Sequence, residues 1–287
     1  MKKVVLIMLS CVIFLNITAC TNKTKNEETV LVKENLVDYR LNDARLINPI
    51  NFTKDGVAVE LNDILYEDLV TWLAFDIKND TEKPIKVLTT DLSVNGIMCN
   101  DSMLVDVEPK AQKTTYLEIS NEWFYGLGIE VIKEFEFNIR VLDETSNEIM
   151  SSEVLKANTD APKKYVQKYD DSGNSLFNES GVVILSKDLT KSKLSDDFEL
   201  GFYIENNTDS HVSIIASEVY VNEQIFEPTF IVSVGADKKA IDSMLFSKKD
   251  LNDKKIKEIK SLKASFKGID KSSQILFETS LLEIPLK

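Results

Sequence analysis

A single histidine, three cysteines and only three arginines (Arg40, Arg45, Arg140) stand in a chain of 287 residues. One imidazole removes most histidine-based acid–base, triad and zinc chemistry. With so few guanidinium groups, bidentate recognition of phosphate or carboxylate is not a main activity. Basic charge is also short: 34 Lys+Arg stand against 47 Asp+Glu, a formal net charge of -13. That balance is the reverse of the basic footprint of a nucleic-acid binder. Neither Gly-x-Ser-x-Gly, Ser-x-x-Lys nor Gly-x-x-x-x-Gly-Lys occurs, so the usual serine hydrolase and phosphate-loop motifs are missing.

Long apolar runs are scarce as well. Lys2 and Lys3 precede one run of twelve residues, Val4 to Leu15, broken by Ser10 and Cys11. Twelve helical residues span about 18 Å, well short of the roughly 30 Å hydrocarbon core. A basic start and a short apolar stretch therefore read as an export signal rather than a membrane span. Ile17-Thr18-Ala19-Cys20 follows where cleavage is due. It resembles the lipobox of bacterial lipoproteins, which implies a signal over residues 1–19, a diacylglyceryl thioether on Cys20 and cleavage before it. The expected partner is then the cell membrane, reached through the lipid at the extracytoplasmic face; acyl chains contribute about 0.8 kcal/mol per buried CH₂. Removal of Lys2 and Lys3 would leave 32 basic against 47 acidic residues, a charge of -15. Residues 20–29 hold no apolar side chain after Cys20 and are expected to be a lipidated flexible tether. With Cys11 removed and Cys20 capped, Cys99 would be the one free thiol. No basic neighbour in sequence activates it, so a packed thiol is expected.

The rest of the chain is written twice. Leu73-Ala74-Phe75-Asp76-Ile77-Lys78-Asn79-Asp80-Thr81 matches Leu200-Gly201-Phe202-Tyr203-Ile204-Glu205-Asn206-Asn207-Thr208 at an offset of 127. The same offset pairs Val94-Asn95 with Val221-Asn222 and Asp143 with Asp270, while Phe52, Gly56 and Val57 match Phe177, Gly181 and Val182 at 125. A period this long indicates a duplicated domain rather than a solenoid. The expected copies cover residues 30–157 and 162–287, joined by a short polar seam at Ala157–Pro162 that would permit some hinge motion.

Within each copy the hydrophobic period is two. Leu73, Phe75 and Ile77 alternate with polar neighbours, and so do Phe135, Phe137, Ile139 and Val141. Further strands are expected over 57–66, 85–94, 103–107, 113–119 and 147–155. Asn121–Gly128 and Lys248–Lys255 read as helical turns, each followed by a strand. A competing reading makes 248–263 one amphipathic helix, but the clean alternation of Phe135–Val141 in the first copy speaks against it. Some seven to nine short strands in about 125 residues predict two tandem immunoglobulin-like antiparallel β-sandwiches, an all-β chain. The order of a Gly-Val strand, an apolar strand ending in Asn-x-Thr, a Leu127-Gly128-Ile129 turn and an Ile-Lys-Glu-Phe strand resembles the telokin-like immunoglobulin domains of Gram-positive surface lipoproteins. That resemblance implies a fold and an envelope location, and brings no catalytic residues.

Candidate chemistry is sparse. His211 aligns with Pro84 before a strand and suits the surface. Asp170-Asp171 and Asp196-Asp197 are unrepeated and read as solvated turns, with Tyr169–Asn174 as a hairpin tip. No cofactor, metal site or catalytic residue is expected, and the chain is read as a non-enzymatic binding module. A passive spacer or accessory to an envelope complex is the alternative reading, and a hydrolase with an acidic site the remote one. The duplication supplies an internal control. Phe124 aligns with apolar Leu251, whereas Trp72, Trp123 and Tyr125 align with Glu199, Asp250 and Asn252. The fold does not require those three aromatics, which makes them candidate contact residues for an envelope protein or cell-wall partner. Trp72 is out of phase with Leu73 and should lie on the outer face of its sheet, unless residues 36–50 cover it. Trp123 and Tyr125 have a local packing role as their alternative.

Overall fold

Alternating side chains sort themselves between core and solvent along almost every strand of the computed structural model, which describes Tyr39 and residues 41–192 and 195–286. The export signal, Cys20, the tether and the start of the first copy lie outside the described residues. Asp38–Lys287 forms one compact unit.

The first sandwich is built from β1 (Ile50–Lys54), β2 (Val57–Tyr66), β3 (Val70–Asn79), β4 (Ile85–Val94), β5 (Ile97–Met98), β6 (Leu104–Val107), β7 (Ala111–Ser120), α1 (Asn121–Gly126), β8 (Glu134–Leu142), β9 (Glu148–Ser151) and β10 (Leu155–Asn158). The second repeats the order: β11 (Asn174–Glu179), β12 (Val182–Lys191), β13 (Phe198–Asn206), β14 (Val212–Val221), β15 (Gln224–Phe226), β16 (Ile231–Val234), β17 (Lys238–Phe246), α2 (Lys248–Asp253), β18 (Leu262–Ile269), β19 (Ile275–Glu278) and β20 (Leu282–Ile284). The fold is all-β, two tandem immunoglobulin-like sandwiches. α2 ends at Asp253, so the long-helix alternative is excluded. The offset is 125 from Val57 to Val182 and 127 from Asn79 to Asn206, which puts the slip in the β2–β3 connection, where loops absorb insertions.

Each sandwich closes over its own core. Leu73, Phe75 and Ile77 meet Phe135, Phe137 and Ile139 in the first, and Leu200, Phe202 and Ile204 meet Ala264 and Phe266 in the second. Phe75 and Phe137 pack edge to face at 5.7 Å, as Phe202 and Phe266 do at 5.6 Å. Full burial of such a side chain contributes about 1.5–3 kcal/mol.

Polar staples recur with the core. Asn79 is buried at the end of β3, where its Nδ2 donates to the carbonyls of Lys83, Val107 and Glu108, while its Oδ1 accepts from Thr81 N and Oγ1. Asn206 makes the matching bonds to Ser210, Val234, Gly235 and Thr208. Asn95 and Asn222, both at positive φ after a strand, hold the approach to β8 and β18: Nδ2 donates to Val131 O or Glu258 O, and Oδ1 accepts the amides of Lys133 and Glu134 or of Lys260 and Ser261. Gly181 turns β11 into β12 at φ +76, and a Cβ there would come within 2.8 Å of Thr208 Cγ2. The glycine thus seats the hairpin under the Asn-x-Thr turn.

The four-stranded sheet of the first copy has the order β1-β2-β3-β7. Its other sheet does not end at the domain boundary. β5 pairs in parallel with β17, Lys239 opposite Ile97, giving a sheet of ten strands ordered β10-β8-β4-β5-β17-β13-β12-β11, with β6 on β4 and β9 on β8. The second face of the second copy is β15-β14-β18-β19, with β16 and β20 alongside.

The seam differs from the sequence expectation of a short hinge. After Asn158 the chain runs along the first sandwich as a strap: Gln167 Nε2 donates to the carbonyls of Leu127 and Gly128, and Tyr169 Oη to Asn95 O. Tyr169–Asn174 is therefore the approach to β11 and not a hairpin tip; β11 pairs with β12, the strand that follows it. The sequence hid this because the strap's bonds go to backbone atoms far away in the chain.

Candidate functional site

Trp72 lies on the face of β3 opposite the core residues Thr71, Leu73 and Phe75, and is half-buried. Its ring meets Tyr116 of β7 edge-on at 6.3 Å, and Leu65 sits opposite it on β2. Tyr116 is 50% exposed and Leu65 40%. Residues 36–38 and 40 lie outside the described residues; of those that follow, Leu41 and Leu46 pack into the first core, Asn42 bridging to Val131 and Leu46 to Thr159. The counterparts of Leu65, Trp72 and Tyr116 are Thr190, Glu199 and Ser243, all polar. Tyr116 was missed by the sequence reading. Its signal was present, since it is out of phase with buried Leu117 and Ile119 and its sister is a serine.

Trp123 and Tyr125 belong to α1, whose N-cap Ser120 accepts from Glu122 N. Phe124 and its counterpart Leu251 are both buried, anchoring the two helical turns. Trp123 is half-buried against the first core and edge-on to Phe124 at 5.1 Å, a packing role. Tyr125 is 59% exposed and meets the ring of Tyr39 at 5.1 Å. Among the described residues, no ring contact joins Trp72 to either of them.

Cys99 is a buried free thiol whose Sγ donates to Asp101 Oδ2 at 3.4 Å. Burial, with Asp101 beside it, pushes the thiol up to about 12. It is not a nucleophile at neutral pH. The carboxylate pairs are absorbed by turns: Asp170 accepts from Ser172 and pairs with Lys187, Asp196 pairs with Lys191, and Asp197 Oδ1 accepts the amide of Lys248 at the start of α2. Among the described residues no group of three or more His, Cys, Asp or Glu is placed to hold a metal ion, and no helix is long and apolar enough to cross a membrane.

The two sandwiches meet in a cleft of about 720 Å³ that neither copy could form alone. Lys239 N donates to Gly96 O across the joint, and Lys239 Nζ lies 4.7 Å from the ring of Tyr169. Met98 leaves its own sandwich to join the second core. Lys238 Nζ is 2.7 Å from a carboxylate oxygen of Glu136, the two side chains only 14% and 17% exposed. Burial pushes the Glu136 carboxyl up, but the Lys238 and Lys156 ammoniums outweigh it and hold it below its ordinary value. A bulge in β4 puts Asp91 at φ 54, re-aiming its carboxylate to Lys271 Nζ at 3.0 Å.

His211 lines this cleft, which corrects the expectation of a surface residue. It is half-buried, and its Nδ1 is buried with no hydrogen-bond partner. Burial pulls the imidazole below its usual value; Asp91 and the residue's own backbone work against this and Lys271 with it. Sequence alignment of the copies exposed His211 as unshared, yet gave no sign that the first sandwich would cover it.

No protein-family model matches the chain, and no curated protein matches it. Solved structures similar to parts of it include the YadV chaperone, at 12% identity and TM-score 0.23 over 74% of this chain and 92% of that one. An exo-chitosanase of Amycolatopsis orientalis, CsxA, matches at 10% identity and TM-score 0.22 over 72% of this chain and 25% of that one. The Salmonella enterica SafA pilin in complex with the SafB chaperone matches at 9% identity and TM-score 0.19, over 72% and 86%. At these TM-scores the likenesses carry no functional argument.

Proposed function

We propose that the chain is a lipid-anchored, extracytoplasmic, non-enzymatic binding module whose contact surface is the outer face of the β1-β2-β3-β7 sheet. The observation that carries the contact surface is the Trp72–Tyr116 pair, half-buried and exposed, with Leu65 beside it, at positions where the sister copy has Glu199, Ser243 and Thr190. Aromatics bury large area at small entropic cost, so they suit recognition of an envelope protein or cell-wall partner. The anchor rests on Ile17-Thr18-Ala19-Cys20 behind its apolar run. Metabolic labelling with a fatty acid tests the anchor: label is expected on the wild type and lost in Cys20→Ala. A Trp72→Ala/Tyr116→Ala variant tests the surface by pull-down from envelope extracts. Loss of captured partners with folding intact is expected, and an unchanged set would refute the aromatic contact. A spacer is the second reading, favoured by the continuous ten-stranded sheet that ties the sandwiches together.

A further inference from the structure

We propose that His211 is an acid-sensitive release for the joint between the two sandwiches: protonation of its imidazole loosens the pairing of β5 with β17 and lets the sandwiches part. The joint is narrow for its task. One residue pair, Lys239 with Ile97, carries the strand pairing, supported by Met98 and the ion pairs Lys238–Glu136 and Lys271–Asp91. His211 stands in the cleft that these groups enclose.

Charging the imidazole puts a proton on both ring nitrogens. The Nδ1 atom is buried and makes no hydrogen bond to any other residue, so the new N–H would be a buried donor with only the residue's own backbone within reach, too poorly placed to count as a bond. Parting the sandwiches gives it water. The charged groups lining the cleft with His211 are Asp91 from β4, Glu136 from β8, Asp237 and Lys238 at the start of β17, and Asp270 and Lys271 from the β18–β19 turn. Asp91 would attract the imidazolium, but it already holds Lys271 at 3.0 Å, and the two fields oppose each other at the ring. Aspartate, glutamate and lysine ordinarily titrate outside the interval between pH 7 and about 5.5. Histidine is the side chain whose ordinary value falls there.

The sign follows from linkage. The open joint offers the imidazole its ordinary value of about 6.5, and the closed joint a lower one. The open form therefore binds the proton first, and closure is fully favoured above about 6.5 and weakens as the pH falls. The opening constant rises by up to about tenfold per pH unit until the closed form protonates too.

Lys239 supplies the probe, because its amide donates to an acceptor in the other sandwich. Hydrogen exchange on the full-length protein in detergent would compare its protection factor, corrected for intrinsic rate, between pH 7 and 5.5. Asn207 N, bonded to Gly181 O within the second sandwich, is the reference. The expected result is a fall at Lys239 of up to about eightfold over that interval, no fall at Asn207, and a flat Lys239 profile in His211→Gln and His211→Phe. The two variants guard against one failing to fold. A flat wild-type profile, an equal slope in a folded variant, or a parallel fall at Asn207 would each overturn the proposal.

Discussion

Replacing Asn79 by alanine removes the side chain that closes the end of β3. Three carbonyls lose a donor and the Thr81 amide and hydroxyl lose an acceptor. Not all of these groups are stranded. The carbonyls of Lys83 and Glu108 lie where the bond is partly exposed, so water can replace the amide; Val107 O is fully buried. A neutral hydrogen bond is worth about 1 kcal/mol net, and a buried carbonyl left without a donor costs about 1–3 kcal/mol. Two replaceable donations at about 1 kcal/mol each and one stranded acceptor at about 1–3 kcal/mol put the cost at about 3–5 kcal/mol, the top of the range for a point variant. The melting midpoint should fall by roughly 10 °C or more. Tryptophan fluorescence is the right assay, because both tryptophans, Trp72 and Trp123, lie in the first sandwich. Asn79→Asp keeps the acceptor but points a carboxylate at three carbonyls, and should be worse than alanine. Asn206→Ala makes the same lesion in the second copy. If the ten-stranded sheet couples the copies, the tryptophan signal will report that distant variant too. A loss below about 1 kcal/mol in Asn79→Ala would refute the reasoning, because it would mean that these bonds are replaced by water at no cost.

Three further outcomes are expected. Cys99 should react with a thiol reagent only on unfolding, since it is buried and pushed up to about 12; peptide mapping after brief native labelling would detect any exception. Lys238→Met should weaken the joint by about 1–2 kcal/mol rather than the 3–5 of a fully stranded buried charge, because Lys156 still holds Glu136 at 3.0 Å. Denaturation at neutral pH reads that loss, and the difference from wild type should shrink as the pH falls below the ordinary glutamate value and through the lower one at which the paired Glu136 carboxyl protonates. The Asp143 carboxyl, bonded by Asn147 and Thr145 in the β8–β9 turn, is held down at about 2. Its contribution should be complete above about pH 4 and lost as the pH falls through about 2, followed by carboxyl NMR with Asp143→Ala as the reference.

The strand pattern was legible because one face of each sheet is wet. β2 and β4 occupy the ranges read from alternation alone, Val57–Tyr66 and Ile85–Val94, and the copies vouch for each other at Asn79 and Asn206 and at Asp143 and Asp270. Trp72 could be assigned to the outer face by parity. The strap, the parallel β5–β17 pair and the cleft were not legible. They rest on Met98 and Lys239, whose partners lie across the joint, and on Tyr169, which bonds Asn95 from 74 residues along the chain; none of these leaves a periodic mark. His211 shows the same limit: the sister copy revealed that the fold does not need it, but only the docked first sandwich makes it half-buried.

The duplication also shows how the joint selects which copies dock. Shifted by 127, the residues that the first sandwich brings to the joint become Glu218, Ile225 and Lys263, and those of the second become Ala111, Gln112 and Glu144. A third sandwich docked on β15 in the same way would place Lys263 opposite Ala111 and lose the pair that Glu136 makes with Lys238. It would set Glu218 against Glu144, like charges where Asp91 now holds Lys271. Such a juxtaposition opposes association by head-to-tail copies. Ile225, the counterpart of buried Met98, is 52% exposed. The shared residues thus build the same sandwich twice, and the unshared ones bind this one pair together. Glu218→Lys tests the point: if charge is what keeps copies apart, the variant should self-associate in sedimentation at low salt while the wild type stays monomeric, and high salt should abolish the difference.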